Sequence, residues 1–221
     1  MNPLVLVVDD EPDVEALFRQ QFRRGLRAGR FTMEFAQSAS AALQRIADAA
    51  GVSLILILSD INALVDESLT RAYYNARAEQ RGFAIKLEKA FDPASGEVDL
   101  FPREITRALL NLISNGFYAA TRRSAEAKGG DHEPTLVTAT RSLGDRVEIR
   151  IRDNGNGIPA DVKEKMFDPF FTTKPTGEGT GLGLSISHDI IVKQHGGSIE
   201  VDTAPGEFAE FRVILPRAPS K

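Results

Sequence analysis

The chain opens with an unbroken aliphatic run, Leu4 to Val8, that ends in Asp9, Asp10 and Glu11. A run without polar alternation predicts a parallel strand buried on both faces, here delivering carboxylates at its C-terminal end. Pro12 suits a first helical turn, and Val14, Leu17, Phe18 and Phe22 share one helical face until Gly25 and Gly29 break the pattern. Phe31 to Phe35 alternates as a strand. Ser38 or Ser40 can cap a second helix with Ala42, Leu43 and Ile46 on its apolar face, and Val52 to Leu58 reads as a further buried strand ending at Asp60. The first segment, residues 1–59, is therefore β-α-β-α-β.

From Asp60 onward the pattern changes. Leu64, Leu69, Ala72 and Tyr73 predict a helix, followed by a strand at Phe83 to Phe91 and a turn around Asp92, Pro93 and Gly96. Pro102 and Glu104 open a long helix whose buried face is Ile105, Leu109, Leu112 and Ile113. Thr135 to Ser142 and Arg146 to Arg152 alternate on either side of Gly144-Asp145, which predicts a hairpin. A helix from about Leu182 to His195 is stopped by Gly196 and Gly197, and Ile199 to Asp202 with Phe208 to Leu215 close the chain as a strand pair.

Charge and composition narrow the function. Acidic residues outnumber basic ones 31 to 27, so the chain lacks the positive field that would hold a nucleic acid. The absence of cysteine rules out a disulfide, a thiolate metal site and a cysteine nucleophile, and it suits a reducing compartment such as the cytoplasm. The aliphatic run Leu54 to Leu58 is far short of the roughly 20 residues that span a bilayer, so no membrane partner is expected.

The long helix carries an anomaly. Asn111 and Asn115 lie one turn apart in its middle, with Arg107 one turn before and Tyr118 about one turn after. Asparagine is a poor helix former, so this stripe does not serve helix stability. Amide oxygens facing a cavity are suitable ligands for magnesium, which takes its remaining ligands from water and phosphates. The stripe by itself reads equally well as a solvated helix face. After the hairpin comes Asp153-Asn154-Gly155-Asn156-Gly157-Ile158-Pro159, in which a carboxylate can accept from an exocyclic amine and glycines let backbone approach a flat ring, although a surface turn has the same composition. Gly177-Glu178-Gly179-Thr180-Gly181-Leu182-Gly183-Leu184 then runs into a helix and can offer backbone N–H groups to phosphates. It is neither a Walker loop, since no Lys-Ser/Thr follows, nor a dinucleotide fingerprint, since no short βαβ unit surrounds it.

Taken in order, these three elements resemble the N box and two glycine boxes of the ATP-binding catalytic domain of two-component sensor histidine kinases. Phe167-Asp168-Pro169-Phe170-Phe171-Thr172-Thr173-Lys174 is similar to the F box of that family. The resemblance covers about residues 60–216. It implies a two-layer α/β sandwich binding ATP and magnesium between the long helix and a lid. Carried over, Asn115 holds the metal, Asn111 supports the phosphates, and these two are the catalytic pair. Asp153 reads the adenine amine. Arg107, Tyr118, Gly155, Gly157, Ile158, Phe170, Lys174, Gly179, Thr180, Gly181, Leu182 and Gly183 complete the nucleotide site. In related ATPases of the superfamily a glutamate at the place of Asn111 activates water; an amide cannot take that proton, which implies slow hydrolysis and transfer to a histidine instead.

The phosphoacceptor histidine and its dimerising hairpin are not found in the sequence. His132 lies in a Gly-Gly-Asp loop and is expected to be solvent-exposed, while His188 and His195 are expected to pack or cap. The implied partner is therefore a histidine-bearing hairpin, or a response regulator, supplied in trans. Residues 1–59 resemble the first half of a flavodoxin-like receiver domain, with Asp9, Asp10 and Asp60 at its phosphorylation site. The residues and elements that should follow are absent, and a helix cap is the stronger reading of Asp60. Such a half domain leaves a strand edge open, which a second copy of the chain or the kinase domain's own surface is expected to cover. A competing class is a nucleotide-binding regulatory module similar to the anti-sigma-factor kinases; an inactive ATP-binding scaffold is a third.

Overall fold

The computed structural model describes residues 4–8, 15, 18–19, 22–29, 31–36, 41, 44–45, 55–126, 132–175 and 179–217. Asp9 and Asp10, the cap at Ser38 or Ser40, and residues Gly177 and Glu178 of the glycine loop lie outside these. The N-terminal elements are β1 (Leu4–Val8), α1 (Arg23–Arg27), β2 (Thr32–Ala36) and β3 (Ile55–Asp60). Next come α2 (Ile61–Glu79), β4 (Lys86–Ala90), β5 (Glu97–Asp99) and the long helix α3 (Pro102–Glu126). The hairpin β6 (Thr135–Ser142) and β7 (Arg146–Asp153), the short α4 (Ala160–Lys163), α5 (Gly183–His188), β8 (Ser198–Ala204) and β9 (Phe208–Pro216) complete the chain.

The strands form two sheets. In the first, the order is β2-β1-β3-β5, with β1 parallel to both β2 and β3 and with β5 antiparallel to β3. In the second, the order is β4-β6-β7-β9-β8, antiparallel apart from the β4–β6 pair. Alternation along β7 and β9 buries Val147, Ile149, Ile151, Phe211, Val213 and Leu215 on one face, as expected for a sheet covered on one side only. Helices α2 and α3 cover that face: Ile61, Val65 and Leu69 of α2 and Ile105, Leu109, Leu112 and Ile113 of α3 join the same core. The opposite face carries ion pairs such as Arg212–Glu200, solvent-exposed and contributing little in water, and Arg152–Glu210, whose carboxylate is mostly covered.

Three features depart from the sequence pattern. The expected strand from Phe83 to Phe91 is only Lys86–Ala90, with Phe83 turned into the core and its ring tilted against that of Phe117. The helix expected to run from Leu182 to His195 is α-helical only to His188, then widens into a π turn over Asp189–Gln194. β5 was concealed in the sequence by its three-residue length and the turn residues before it. It pairs Leu58, Ser59 and Asp60 of β3 with Asp99, Val98 and Glu97, so the open edge is closed there by the chain's own strand and a second copy has nothing to pair with at those positions.

Asp60 caps α2: its Oδ1 accepts from the Ala63 N–H at 2.8 Å. Helix α3 is tethered at its start by His195, whose Nε2 accepts from the Phe101 N–H at 3.0 Å while Nδ1 donates to the Ile190 carbonyl at 2.7 Å. Both ring nitrogens are thus used structurally, in line with the packing or capping role expected for this residue. Among the described residues no helix is long and apolar enough to cross a membrane.

Candidate nucleotide site

A cleft of ≈ 660 Å³ opens beside α3. One wall is the helix itself, through Asn111, Asn115, Tyr118 and Ala119; Asp153, Asn156, Gly157 and Ile158 follow from the end of β7. Met166, Phe171 to Lys174 and Gly179 to Gly181 form the other wall, with Gly183 and Leu184 at the start of α5, and Ala209 and Phe211 supply an apolar floor. The volume and the mixture of apolar walls with a few polar groups are those of a small-molecule site.

Asn111 Nδ2 donates to the Gly183 carbonyl at 3.2 Å and to Ser187 Oγ at 3.3 Å, so this amide fastens the start of α5 to the long helix. One turn later Asn115 Oδ1 accepts from Lys174 Nζ at 3.0 Å. That ammonium also lies 4.4 Å from the centre of the Tyr118 ring, within cation–π range. An amide oxygen held toward a cation fits a magnesium ligand. Among the described residues no three His, Cys, Asp or Glu side chains gather to hold a metal, so magnesium there would draw its other ligands from phosphates and water.

Asp153 ends β7 and is 3% exposed. Its Oδ1 accepts from the Gly155 N–H at 2.9 Å. Burial pushes the carboxyl up to about 6, against the pull of backbone N–H groups from Gly155 and Ala209 and of the Arg152 charge. Gly155 belongs here for steric reasons: a Cβ at that position would stand 2.7 Å from both the carbonyl carbon and Cβ of Ala119 on α3. At Gly157, where φ is 67°, a Cβ would meet the Ala204 carbonyl oxygen still more closely.

The cleft thus brings together Asn111, Asn115, Tyr118, Asp153, Gly157, Ile158, Lys174, Gly179, Thr180, Gly181 and Gly183. Gly155 acts from behind, through its N–H on Asp153. Three further candidates fall outside the lining, as Gly155 does. Arg107 is exposed, a turn before the cleft begins. Phe170 adopts φ 68° and is 75% exposed, so that its neighbour Phe171 makes the wall. Leu182 precedes α5 as its cap residue, and Leu184 lines the cleft in its place.

Residues not singled out from the sequence include Arg122, whose Nε donates to Glu126 at 2.8 Å, while Asn156 Nδ2 donates to the other oxygen of Glu126 at 2.8 Å. Their signal was positional, since Arg122 and Glu126 continue the Tyr118 stripe by one and two turns. His132 is half-buried, contrary to the solvent exposure expected of its loop: Ser124 Oγ donates to its carbonyl at 3.1 Å and draws it onto the end of α3. Burial, together with the nearby Arg123 charge, holds its imidazole below the ordinary range. None of the three histidines lines the cleft.

Comparison with known proteins agrees with this geometry. Residues 101–219 match the family of histidine kinase-, DNA gyrase B-, and HSP90-like ATPases, and the chain belongs to that family. It is 38% identical over 163 residues to the sensor histidine kinase ZraS of Escherichia coli O157:H7, covering 74% of this chain and 32% of that one. It is 33% identical over 159 residues to the signal transduction histidine-protein kinase AtoS of Escherichia coli K12, covering 72% and 24%. A shorter stretch of 73 residues is 55% identical to the sensor kinase CckA of Brucella abortus, 33% of this chain and 8% of that one. The chain therefore spans about a third or less of the length of these three relatives. Among solved structures it is similar to the catalytic domain of histidine kinase ThkA, with a TM-score of 0.61 at 26% identity over 75% of this chain and 98% of that one.

Proposed function

We propose that this chain binds Mg-ATP in the cleft and donates the γ-phosphoryl group to a histidine on a partner polypeptide in two-component signalling. The observation that carries this is the arrangement along α3. Asp153 packs against Gly116 and the Gly155 turn that follows it packs against Ala119, while Asn115 with Lys174 faces the same cleft, so a base reader and a cation site lie along a single helix. Asn111 and Ala119 are eight residues apart, roughly 12 Å of helix, which suits an extended nucleotide.

In this reading Asp153 accepts the adenine amine, and the apolar floor at Ala209 and Phe211 receives the ring. Asn115 would hold magnesium through its amide oxygen, and the metal would supply positive charge to offset that of the phosphates. Lys174 moves from Asn115 to the phosphates, and Thr180 with the backbone of Gly179 and Gly181 adds donors around them. Asn111 lacks the basicity to activate water, so the bound nucleotide waits for an incoming nucleophile.

The phosphoacceptor is a histidine-bearing hairpin in trans, with a response regulator as the eventual recipient. We read residues 1–59 as a receiver-like half joined to the ATP-binding unit at 60–221. The β2-β1-β3 order supports this, being the beginning of the flavodoxin-like 2-1-3-4-5 order. Asp60 is engaged as a helix cap, which supports a structural role for it.

The test is incubation with γ-labelled ATP, magnesium and a purified histidine-bearing dimerisation hairpin. Acid-labile, base-stable label on the hairpin, lost with Asn115→Ala, is expected. A folded chain that fails to bind ATP with magnesium would overturn the reading, and acid-stable label on serine would transfer it to the anti-sigma-factor kinase class.

A further inference from the structure

Arg123 extends from the last turns of α3 without a carboxylate partner among the described residues. Its Nη1 instead lies 2.9 Å from the Asn154 carbonyl, 3.2 Å from the Gly155 carbonyl and 3.0 Å from the Glu207 carbonyl. A guanidinium spent on three carbonyls is unusual, because the group is better matched to a carboxylate. The three oxygens belong to the turn after Asp153 and to the β8–β9 turn, so one side chain joins two loops to the helix.

The peptide unit between Asn154 and Gly155 is the informative one. In a trans peptide the C=O and N–H point in opposite directions. Here the carbonyl accepts from Arg123 at 2.9 Å, and the N–H of the same unit donates to Asp153 Oδ1 at 2.9 Å. The plane is thus held at both ends. A cation on the carbonyl also polarises the amide, strengthening the donor at its other end. Ala119, one turn before Arg123, abuts Gly155 and leaves the plane little room to rotate.

We propose that Arg123 is a positioning residue for base recognition, fixing the Asp153 carboxylate toward the purine through the Asn154–Gly155 peptide. The inference rests on the reading of Asp153 as the group that accepts the adenine amine. Arg123 itself does not line the cleft, so its effect is confined to the base end. Asn115 lies two turns away on the same helix and is untouched.

The test compares binding of ATP and ITP, which carries oxygen in place of the amine, to the full chain and to Arg123→Ala and Arg123→Lys, with melting temperatures measured alongside. The wild type is expected to prefer ATP. Arg123→Ala should weaken ATP binding about tenfold, leave ITP nearly unchanged and keep the magnesium dependence of both. Arg123→Lys, a point donor able to reach one carbonyl, should recover part of the preference. A folded Arg123→Ala variant that keeps the ATP-to-ITP ratio, or loses both nucleotides equally, overturns the proposal and reduces Arg123 to a clamp on the fold. If Arg123→Ala unfolds, the ratio in Arg123→Lys decides: an unchanged ratio overturns the proposal and a reduced one supports it. A wild type with no preference for ATP removes the Asp153 reading and this inference together.

Discussion

Lys174 Nζ lies 3.0 Å from Asn115 Oδ1, the oxygen that the nucleotide reading assigns to magnesium. In that reading an ammonium stands in the place proposed for the divalent cation, shared between an amide oxygen and the face of Tyr118. Replacing Lys174 by Met should weaken metal-free ATP binding about tenfold and steepen the gain on adding magnesium, since the metal then meets no ammonium at Asn115. Titration calorimetry across a magnesium series reads both effects; equal losses with and without metal would place Lys174 on the phosphates alone.

Asp153 links pH to stability. Its folded value of about 6 lies above the ordinary carboxylate value of 3.8. The folded state therefore binds this proton more tightly than the unfolded chain, and the contribution favours folding below the ordinary value and is lost as pH rises through about 6. At neutral pH the buried charge costs roughly 2 to 3 kcal/mol. Asp153→Asn should accordingly melt no lower than the wild type at pH 8, with its relative advantage fading near pH 4, yet bind ATP at least tenfold more weakly. ATP affinity of the wild type should fall between pH 8 and pH 5 as the acceptor becomes protonated. A destabilised Asp153→Asn at pH 8 would contradict the burial argument.

Two glycines with left-handed backbones separate strain from crowding. At Gly144, φ is 83° and a Cβ would meet nothing within 4 Å. Gly144→Ala should cost only the conformational strain, about 1 kcal/mol. At Gly157 a Cβ would stand 2.4 Å from the Ala204 carbonyl oxygen, which is backbone and cannot swing away. Gly157→Ala should cost about 3 kcal/mol or more and abolish nucleotide binding. Denaturant midpoints compare the two directly.

Asp60 makes the sharpest case between a cap and a phosphoacceptor. Asp60→Ala should lose about 1 kcal/mol, and Asp60→Asn, whose amide oxygen also accepts, should lose much less. Equal losses in thermal melts of the two variants would show that the Ala63 hydrogen bond contributes nothing.

Much of the fold was legible because burial dictates periodicity. The alternation from Thr135 to Ser142 and the stripe of Ile105, Leu109, Leu112 and Ile113 report which faces meet the core, and the structure buries those faces. β5 was illegible, since three residues cannot show a period and its stability comes from pairing with a strand distant in sequence. At the cleft, residue types disclosed Asn115 and Asp153, but adjacency in a motif could not tell Phe170 from Phe171, which a single positive φ turns to opposite sides. Arg123 was equally hidden: its partners are backbone carbonyls, which have no signature in a sequence.

β3 passes into α2 with no intervening loop, since Asp60 is both the last residue of the strand and the cap of the helix. The next N–H, of Ile61, donates to the Gly96 carbonyl at 3.1 Å, beside the β5 pairing, so the junction is pinned from the side as well. With 19 residues, α2 is a rod about 28 Å long, bedded in the same core as the helix that bears the nucleotide cleft. Strand and helix therefore meet at Asp60 without a single loop residue that could absorb a displacement of one against the other.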